Sequence, residues 1–180
     1  MLETPRLLLR GWRDSDVEPL VQMNADPRVN AFLYRTYTRE ISQAAVERMR
    51  EELARAGYGW WVVEVRNGPA FAGMVCVREV PFEARFTPTW EIGWRFAFDA
   101  WGHGYATEAA RAALDFAFGR LGLREIVAFT SESNLRSQRV MVRLGMTHDP
   151  ADDFDHPLIE EEHALRRHVL YRLRGAQAGA

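Results

Sequence analysis

Two glycines one residue apart, directly before a long helical pattern, constrain the fold of this chain more than any other feature. They are Gly102 and Gly104 in the stretch DAWGHGYATEAARAALDFAF, and a strand pattern over residues 89–96 precedes them. Glycine lets the backbone approach a ligand closely, and the amides at a helix start have no partner inside the helix. The stretch therefore predicts a strand, a tight turn and a helix over about 104–121 whose N-terminus can receive an anion.

The rest of the chain alternates between strand and helix patterns. Apolar runs predict strands over residues 6–12, 58–65, 70–80, 89–96, 125–130 and 168–173. Helical spacing predicts helices that end near Ala25 and that cover 38–57, 104–121 and 135–145, with Ile41, Ala45, Met49 and Leu53 on the buried face of the second. An antiparallel meander followed by strand–helix units predicts an α/β (α+β) fold, a mixed and mostly antiparallel sheet of about seven strands with about four helices on its faces.

Length and composition limit the classes of protein to which the chain can belong. Its 180 residues fit a single domain over residues 1–175, followed by a disordered tail at 176–180. A net charge of −2 argues against nucleic acid as a partner. The single cysteine, Cys76, rules out a disulfide within the chain and favours a reducing, cytoplasmic compartment. Without a leader pattern or a long apolar run, we expect no membrane partner, and a monomer or homodimer.

Several kinds of anion site begin a helix with glycines, and the turn has to be distinguished from each. A P-loop needs a Lys-Ser/Thr pair at the helix start, which is missing here. A dinucleotide fingerprint needs a third glycine where Thr107 stands, and its strand comes first rather than after a meander. A nucleotide-dependent oxidoreductase is therefore the weaker hypothesis. The pyrophosphate of coenzyme A and an ordinary tight turn remain open.

Several motifs in the right order decide between these readings. GWRF, WGHGYATEA and NLRSQRVMVRLGM, together with ETPRLLLRGWRDSD and DPRV, resemble the GNAT superfamily over about residues 3–147. The branch they resemble is that of the Rim-type ribosomal-protein alanine and serine N-acetyltransferases. In the family's R/Q-x-x-G-x-G/A turn, Gly104 and Ala106 take the fourth and sixth positions, and Trp101 replaces the usual first residue. The resemblance implies a sheet that splays after its fourth strand.

The resemblance also implies acetyl-CoA as co-substrate, with no metal. The backbone amides of Gly102, His103, Gly104, Tyr105 and Ala106 would bind the pyrophosphate, helped by the Thr107 hydroxyl, while the strand end at Phe96 would pair with the pantetheine arm. Asn134 would lie beside that arm and Ser137 near the sulfur. Thr107 could equally be an ordinary helix-start residue, and Asn134 the N-cap of its helix. The imidazole of His103 is not expected to take part in catalysis.

Glu91 and Ser137 are the candidate catalytic residues. Strand alternation places Glu91, Gly93 and Arg95 on one face, and a lone carboxylate among aromatic residues is costly unless it is paired or used. Glu91 can therefore be a base that acts on the amine, or one half of an ion pair with Arg95 or Arg78. Many relatives have a tyrosine acid where this chain has Met141, so Ser137 or a water would serve the departing thiolate.

The acceptor implied by the resemblance is a primary amine that receives acetyl directly in a ternary complex. A protein or peptide N-terminus is one acceptor class, and a small cationic amine is the alternative. The acidic stretch THDPADDFDHP over residues 147–157 either attracts such a cation or is a solvated loop. Phe32, Tyr34, Phe82, Phe86 and Trp90 lie in or next to the loops that would shape the acceptor site. A non-catalytic acyl-CoA-binding regulatory module remains open because Met141 cannot donate a proton.

Overall fold

The computed structural model describes residues 1–35 and 37–175; the predicted tail at 176–180 lies outside the described residues. Its strands are β1 Leu2–Glu3, β2 Leu7–Arg10, β3 Trp60–Val65, β4 Gly73–Glu79, β5 Trp90–Phe96, β6 Glu125–Ser131, β7 Thr147–His148, β8 Phe154–Asp155 and β9 Arg167–Arg174. Its α-helices are α1 Val17–Ala25, α2 Pro27–Asn30, α3 Arg39–Ala56, α4 Tyr105–Gly119 and α5 Leu135–Arg143. No helix in these described ranges is long and apolar enough to cross a membrane.

All of the strands belong to one mixed sheet. Its order is β1-β2-β3-β4-β5-β6-β9-β7, and β8 pairs with β9. Each pair is antiparallel except β5 and β6, which run parallel and share one partner pair, Glu91 with Val127. Beyond that pair the two strands part, so a gap opens toward Phe96. The predicted mostly antiparallel sheet that splays after the strand at 89–96 is confirmed.

The structure contains more elements than the sequence predicts. The described residues form nine strands rather than about seven, because β1, β7 and β8 have two residues each and are too short to show alternation. Helix α2 lies where the sequence DPRV indicates only a break. It forms because Asp26 caps it by accepting the amide N–H of Arg28, and Pro27 occupies its first turn.

Helices cover both faces of the sheet. On one face α4 presents the buried small side chains of Ala109, Ala110, Ala113 and Ala117, which let the helix lie close to the strands. On the other face α3 buries Ser42, Val46 and Met49. The predicted stripe was wrong at Ile41, which is 45% exposed. In the first half of the helix the buried positions are Ser42 and Val46, and the Ser42 hydroxyl accepts a hydrogen bond from Asn24 of α1, whereas Met49 is buried as predicted.

A buried ion-pair network attaches α1 to the sheet. The Arg10 guanidinium at the end of β2 donates to both carboxylate oxygens of Asp16, at 2.7 and 2.8 Å, and also to Glu64 of β3. Asp16 directly precedes α1 and is itself buried. Because these charges are shielded from water and paired, they fix the start of the helix. Its far end carries Asn24, which faces β5.

Candidate active site

The gap between β5 and β6 is a cavity of about 560 Å³. It extends from the glycine turn, along β5 and α5, to a region below the segment that joins α2 and α3. The predicted site residues that line it are Glu91, Phe96, Gly102, Gly104, Tyr105, Ala106, Thr107, Asn134 and Ser137. His103 does not line it: its ring is exposed and stacks on Tyr105 at 5.3 Å between centroids. Elements far apart in sequence therefore present their predicted side chains to one space.

The glycine turn ends in free amide groups. Gly102 and Gly104 have φ values of +81° and +78°, a conformation that side chains other than glycine rarely adopt. The first bond inside α4 runs from the Glu108 amide to the Gly104 carbonyl, at 3.1 Å, and no side chain caps the helix. In the described structure the amides of Tyr105, Ala106 and Thr107 thus have no partner, although these residues line the cavity. This geometry fits an anion such as a pyrophosphate.

The N-terminal segment braces this turn. The Glu108 carboxylate, in the first turn of α4, accepts hydrogen bonds from the Thr4 hydroxyl at 2.6 Å and from Arg6 Nε at 2.6 Å. The Arg6 guanidinium also donates to the carbonyl of His103 at 3.0 Å and lies 5.0 Å from the ring of Tyr105. These contacts connect both sides of the turn to residues that precede β2.

Trp101 anchors the other end of the turn, which gives a physical reason for its departure from the family's Arg or Gln. Its indole N–H donates to the Phe96 carbonyl at 2.9 Å, and the Arg136 guanidinium lies 4.9 Å from its ring. The Ala97 amide bonds back to Ala72 beside β4. Because backbone groups alternate along a strand, those of Trp94 and Phe96 face the gap, where an extended ligand could pair with them.

The start of α5 supplies polar groups to the cavity wall. The Asn134 side-chain oxygen accepts the Ser137 amide at 3.2 Å, so the helix-capping role left open by the sequence is present. Asn134 Nδ2 donates to the hydroxyls of Thr130 and Ser137, at 3.0 and 3.3 Å. The Ser137 oxygen therefore accepts from Asn134, which leaves its O–H free to donate. Met141 is buried and lines the same wall.

Glu91 lies in an ion pair with Arg78. Arg78 Nε donates to Glu91 Oε1 at 2.5 Å, and the two residues are partners across β4 and β5. Of the two arginines that the sequence offers as partners, the structure thus selects Arg78. Burial raises the pKa of Glu91 above its ordinary value, although Arg78 acts in the opposite direction. Glu91 Oε2 has no hydrogen-bond partner among the described residues, and Glu91 lines the cavity.

Arg95 has a separate set of contacts on the same face of β5. Its guanidinium donates to the Asn24 side-chain oxygen at 2.8 Å and to the Tyr37 hydroxyl at 3.3 Å. From the sequence, Arg95 is predicted only as a possible partner of Glu91, and no role is predicted for the arginines of α5. Strand alternation was the available signal for Arg95, since it places this side chain on the face of Glu91. The arginines of α5 that line the cavity are Arg136, Arg139 and Arg143.

The acidic stretch over residues 147–157 packs on β9 instead of facing the cavity. Asp152 pairs with Arg172 at 2.6 Å, Asp153 accepts from His148 at 2.7 Å, and Asp155 pairs with Arg167 at 3.3 Å. None of these aspartates lines the cavity, which favours the solvated-loop alternative over the attraction of a cationic acceptor by this stretch. In the described part of the chain, no group of three or more His, Cys, Asp or Glu side chains is placed to hold a metal ion.

The aromatic residues expected near the acceptor divide into four groups. Phe32 lines the cavity. Phe82 and Phe86 pack in a cluster with Phe129 and Phe154 at the end of β6, and Phe129 also lines the cavity. Tyr34 packs against His156 in a tilted arrangement, with 5.5 Å between the ring centroids. Trp90 packs edge-on against Tyr58 and lies outside the cavity.

Comparisons with known proteins agree with this geometry. A family model described as "Acetyltransferase (GNAT) domain" matches residues 6–147. The uncharacterized N-acetyltransferase YnaD of Bacillus subtilis is 29% identical over 146 residues, which are 81% of each chain. A GNAT-family acetyltransferase structure from Bacillus anthracis has a TM-score of 0.79 at 23% identity, over 96% of this chain and 97% of that one.

Rim-type enzymes are among the structural neighbours, as the resemblance predicts. The structure of Mycobacterium smegmatis RimJ in complex with CoA-disulfide has a TM-score of 0.73 at 22% identity, over 93% of this chain and 81% of that one. At this identity the similarity shows a common fold. The family model covers most of the sequence, including the glycine turn and the start of α5. The chain therefore belongs to the GNAT family and is an acetyl-CoA-dependent N-acetyltransferase.

Proposed function

We propose that the cavity between β5 and β6 holds acetyl-CoA and an amine together and that acetyl passes directly between them. The observation that carries this proposal is that the glycine turn, the Asn134–Ser137 pair and Glu91 all line one cavity. The RimJ neighbour, whose structure contains CoA-disulfide, supports coenzyme A as the ligand. The cytoplasmic location and the monomeric or dimeric state remain predictions from the sequence.

The chain offers a binding group for each part of the co-substrate. The free amides of Tyr105, Ala106 and Thr107 would bind the pyrophosphate at the positive end of α4. The arginines of α5 add positive charge beside it. The gap-facing edge of β5 at Phe96 and the Asn134 side chain would hold the pantetheine arm. Acetyl-CoA supplies the acetyl group as a thioester, which is already activated toward an amine.

Transfer requires the amine to lose a proton and the sulfur to gain one. The amine nitrogen forms a bond to the thioester carbonyl carbon, and the bond from that carbon to sulfur breaks. Glu91 would accept the amine proton through Oε2, directly or by way of a water, and its raised pKa makes it a better base than an exposed glutamate. The Ser137 hydroxyl would donate a hydrogen bond to the departing thiolate, which would then take its proton from water.

A covalent intermediate on the protein is not part of this proposal. Cys76 is fully buried in β4, and burial raises the pKa of its thiol far above the ordinary value. The thiolate is the nucleophilic form of cysteine, so this residue is poorly suited to accept an acetyl group. Direct transfer in a ternary complex is the simpler route.

The acceptor class is the open part of the function. The resemblance to Rim-type enzymes makes a protein or peptide N-terminus the first acceptor to test. The alternative, a small cationic amine, has less support because none of the acidic side chains at 147–157 lines the cavity. Both classes present a primary amine, so one assay of thiol release from acetyl-CoA can compare them.

The substitution Glu91→Gln tests whether the cavity is catalytic. It keeps the size of the side chain and a hydrogen-bond acceptor for Arg78, but it removes the base. We expect kcat to fall by about 10²–10⁴-fold, as for the loss of a general base. The stabilisation of the protein by coenzyme A in a thermal-shift titration should not change, because Glu91 is remote from the glycine turn.

The exposed residue Glu79, at the end of β4, provides the matched control Glu79→Gln. Its activity should equal that of the parent protein. If Glu91→Gln keeps full activity, Glu91 is only a structural ion-pair partner. If the parent protein binds coenzyme A and releases no thiol with any amine, the alternative of a regulatory acyl-CoA-binding module is correct.

A further inference from the structure

The charges that line the cavity are unbalanced. They are five arginines and one carboxylate, namely Arg78, Arg95, Arg136, Arg139, Arg143 and Glu91. The three arginines of α5 lie on the side where the phosphates of the co-substrate are placed by the proposed function. Arg78 is neutralised by its ion pair with Glu91, at 2.5 Å. Arg95 therefore remains as positive charge that neither the co-substrate phosphates nor a protein carboxylate balances.

Arg95 is held in place by neutral groups. Its two described partners are the Asn24 side-chain oxygen and the Tyr37 hydroxyl, and the guanidinium also lies 4.8 Å from the Tyr37 ring. Asn24 is itself buried, and its amide nitrogen donates to Ser42 of α3. No carboxylate pairs with Arg95 in the part of the chain that the structure describes. A guanidinium has five N–H donors, so further donors remain for a ligand.

Arg95 shares its face of β5 with Glu91, the proposed base, and apolar side chains line the same cavity. Arg95 and Glu91 lie on one face of β5, four residues and about 13 Å apart along the strand. Gly93 lies between them, and a Cβ there would come within 3.5 Å of the Trp60 indole ring. Trp60 thus lies beside Gly93 and lines the cavity between the two charged groups. Apolar side chains of the α2–α3 region, Val29, Phe32 and Leu33, complete this end of the cavity.

We propose that the acceptor is a small primary amine that also carries a carboxylate, and that Arg95 binds this carboxylate. This inference rests on the proposed function, because it concerns the acceptor of the same reaction. A guanidinium held by neutral partners in a partly apolar cavity is a strong receptor for a carboxylate, since the charge-assisted hydrogen bonds are shielded from water. The same charge repels a polyamine. The apolar walls would pack against the body of the acceptor, while its amine points toward Glu91.

Matched pairs of amines test the proposal. ε-Aminocaproate is compared with amylamine, and 7-aminoheptanoate with hexylamine, so that each pair differs only in the carboxylate and the amine can extend from Arg95 toward Glu91. A cationic arm uses cadaverine, and a protein-like arm uses a short peptide with a free N-terminus and an amidated C-terminus. We expect kcat/KM for at least one carboxylate to exceed that of its decarboxylated counterpart by at least about tenfold. A peptide, polyamine or decarboxylated amine that is used best would overturn the proposal.

Variants of Arg95 connect the preference to this side chain. Arg95→Gln should raise KM for the carboxylate acceptor at least about tenfold and abolish its advantage over the decarboxylated amine, while KM for acetyl-CoA stays unchanged. Arg95→Lys keeps the charge and should retain part of the preference. Arg48→Gln, on an exposed position of α3, should behave like the parent protein. An unchanged preference in Arg95→Gln contradicts the proposal.

A binding measurement separates this inference from the proposed function. Each carboxylate amine is titrated against the protein saturated with coenzyme A, and the thermal midpoint is recorded. A rise that is lost in Arg95→Gln supports the receptor even if no amine is acetylated, in which case only the proposed function fails. Acetylation without any preference for carboxylates overturns the inference alone. If no carboxylate amine binds and none is acetylated, the inference is overturned too.

Discussion

At the scale of single residues, Ser137 shows how a structural contact and a catalytic role can share one side chain. Its amide is the partner that Asn134 caps, and its oxygen accepts from the Asn134 amide group. Both contacts leave the hydroxyl hydrogen available on the cavity side. Because Met141 occupies the position of the tyrosine acid of many relatives, this hydrogen is the donor that the proposed function assigns to the thiolate.

Ser137→Ala should therefore lower kcat by about 10–100-fold, the effect of removing one hydrogen bond to a charged group. The fold should tolerate the change, because Asn134 still caps the backbone amide of residue 137 and still donates to Thr130 at 3.0 Å. Thiol release at saturating acetyl-CoA and acceptor measures the effect. Ser133→Ala, on the exposed part of the same loop, is the control. Equal kcat values for the two variants would remove Ser137 from the mechanism.

Residue types and spacing predicted the glycine turn and the importance of Glu91, whereas the resemblance to the family implied the roles of Phe96, Asn134 and Ser137. Every predicted catalytic or cofactor-binding residue except His103 lines the cavity, and the glycine turn and the start of α5 are local motifs whose geometry follows from the chain itself. The partner of Glu91 could not be predicted in this way. Arg78 and Arg95 are both arginines near Glu91, and only the register of β4 against β5 selects Arg78. The contacts of Arg95 cannot be predicted from its own segment, because its partners Asn24 and Tyr37 come from distant segments.

At the scale of elements, the N-terminal segment and α4 act together to shape the glycine turn. Glu108 lies at the helix end where an anion is expected to bind, so an unpaired carboxylate there would repel the ligand. Hydrogen bonds from Thr4 and Arg6 lower the pKa of Glu108, against the effect of burial, and Arg6 balances its charge. Arg6 also restrains the carbonyl of His103 inside the turn.

Glu108→Gln should weaken this brace, because the neutral amide cannot accept the same charge-assisted bonds from Arg6. We expect the Kd for coenzyme A to rise by about 5–20-fold, which corresponds to about 1–2 kcal/mol, while KM for the acceptor stays constant. Isothermal titration calorimetry measures the Kd. Glu3→Gln is the control, because Glu3 lies in the same N-terminal segment but pairs with Arg66 and does not touch the turn. An unchanged Kd in Glu108→Gln would show that the turn keeps its shape without the brace.

The elements that the sequence misjudged are those decided by contacts between segments. The first half of α3 buries Ser42 in place of Ile41, and the contact of Ser42 with Asn24 on another helix cannot be seen in the periodicity of α3. The two-residue strands β7 and β8 exist only because β9 offers them a paired edge. Long periodic segments such as α4, in contrast, match their prediction within two residues at each end.

At the scale of the whole molecule, two buried histidines connect the segment before β9 to the acceptor end. The rings of His156 and His168 lie 4.9 Å apart and pack among Phe82, Phe129 and Phe154. Burial is the main cause that lowers the pKa of His156 to about 4, and the positive charges of His168 and Arg35 add to it. Burial also lowers the pKa of His168.

The folded protein should therefore lose stability as the pH falls. When folding lowers the pKa of a histidine, the neutral ring stabilises the fold fully at pH values above the unfolded pKa of about 6.5. This contribution is lost as the pH falls toward the folded pKa, because only the unfolded chain binds the proton in that range. For His156 the free energy of unfolding should drop by about 2 kcal/mol between about pH 7.5 and about pH 5. Urea unfolding at the two pH values measures this drop.

His156→Asn should make the pH dependence shallower by that amount, because an amide oxygen can still accept the Leu158 amide and does not titrate in this range. His103→Asn removes an exposed imidazole and controls for the loss of a histidine as such. If the parent protein and His156→Asn lose equal stability between the two pH values, His156 is not buried in its neutral form.

The central claim is that one cavity binds acetyl-CoA at the glycine turn and delivers acetyl to an amine at Glu91. The most direct test is amine-dependent release of thiol from acetyl-CoA by the purified protein, with mass spectrometry of the amine product, for the parent protein and Glu91→Gln. We expect one acetyl group on the amine for each thiol released by the parent protein. Glu91→Gln should lose both the thiol release and the acetylated product while it still binds coenzyme A. Acetylated amine formed equally well by Glu91→Gln, or no product from any primary amine, would contradict it.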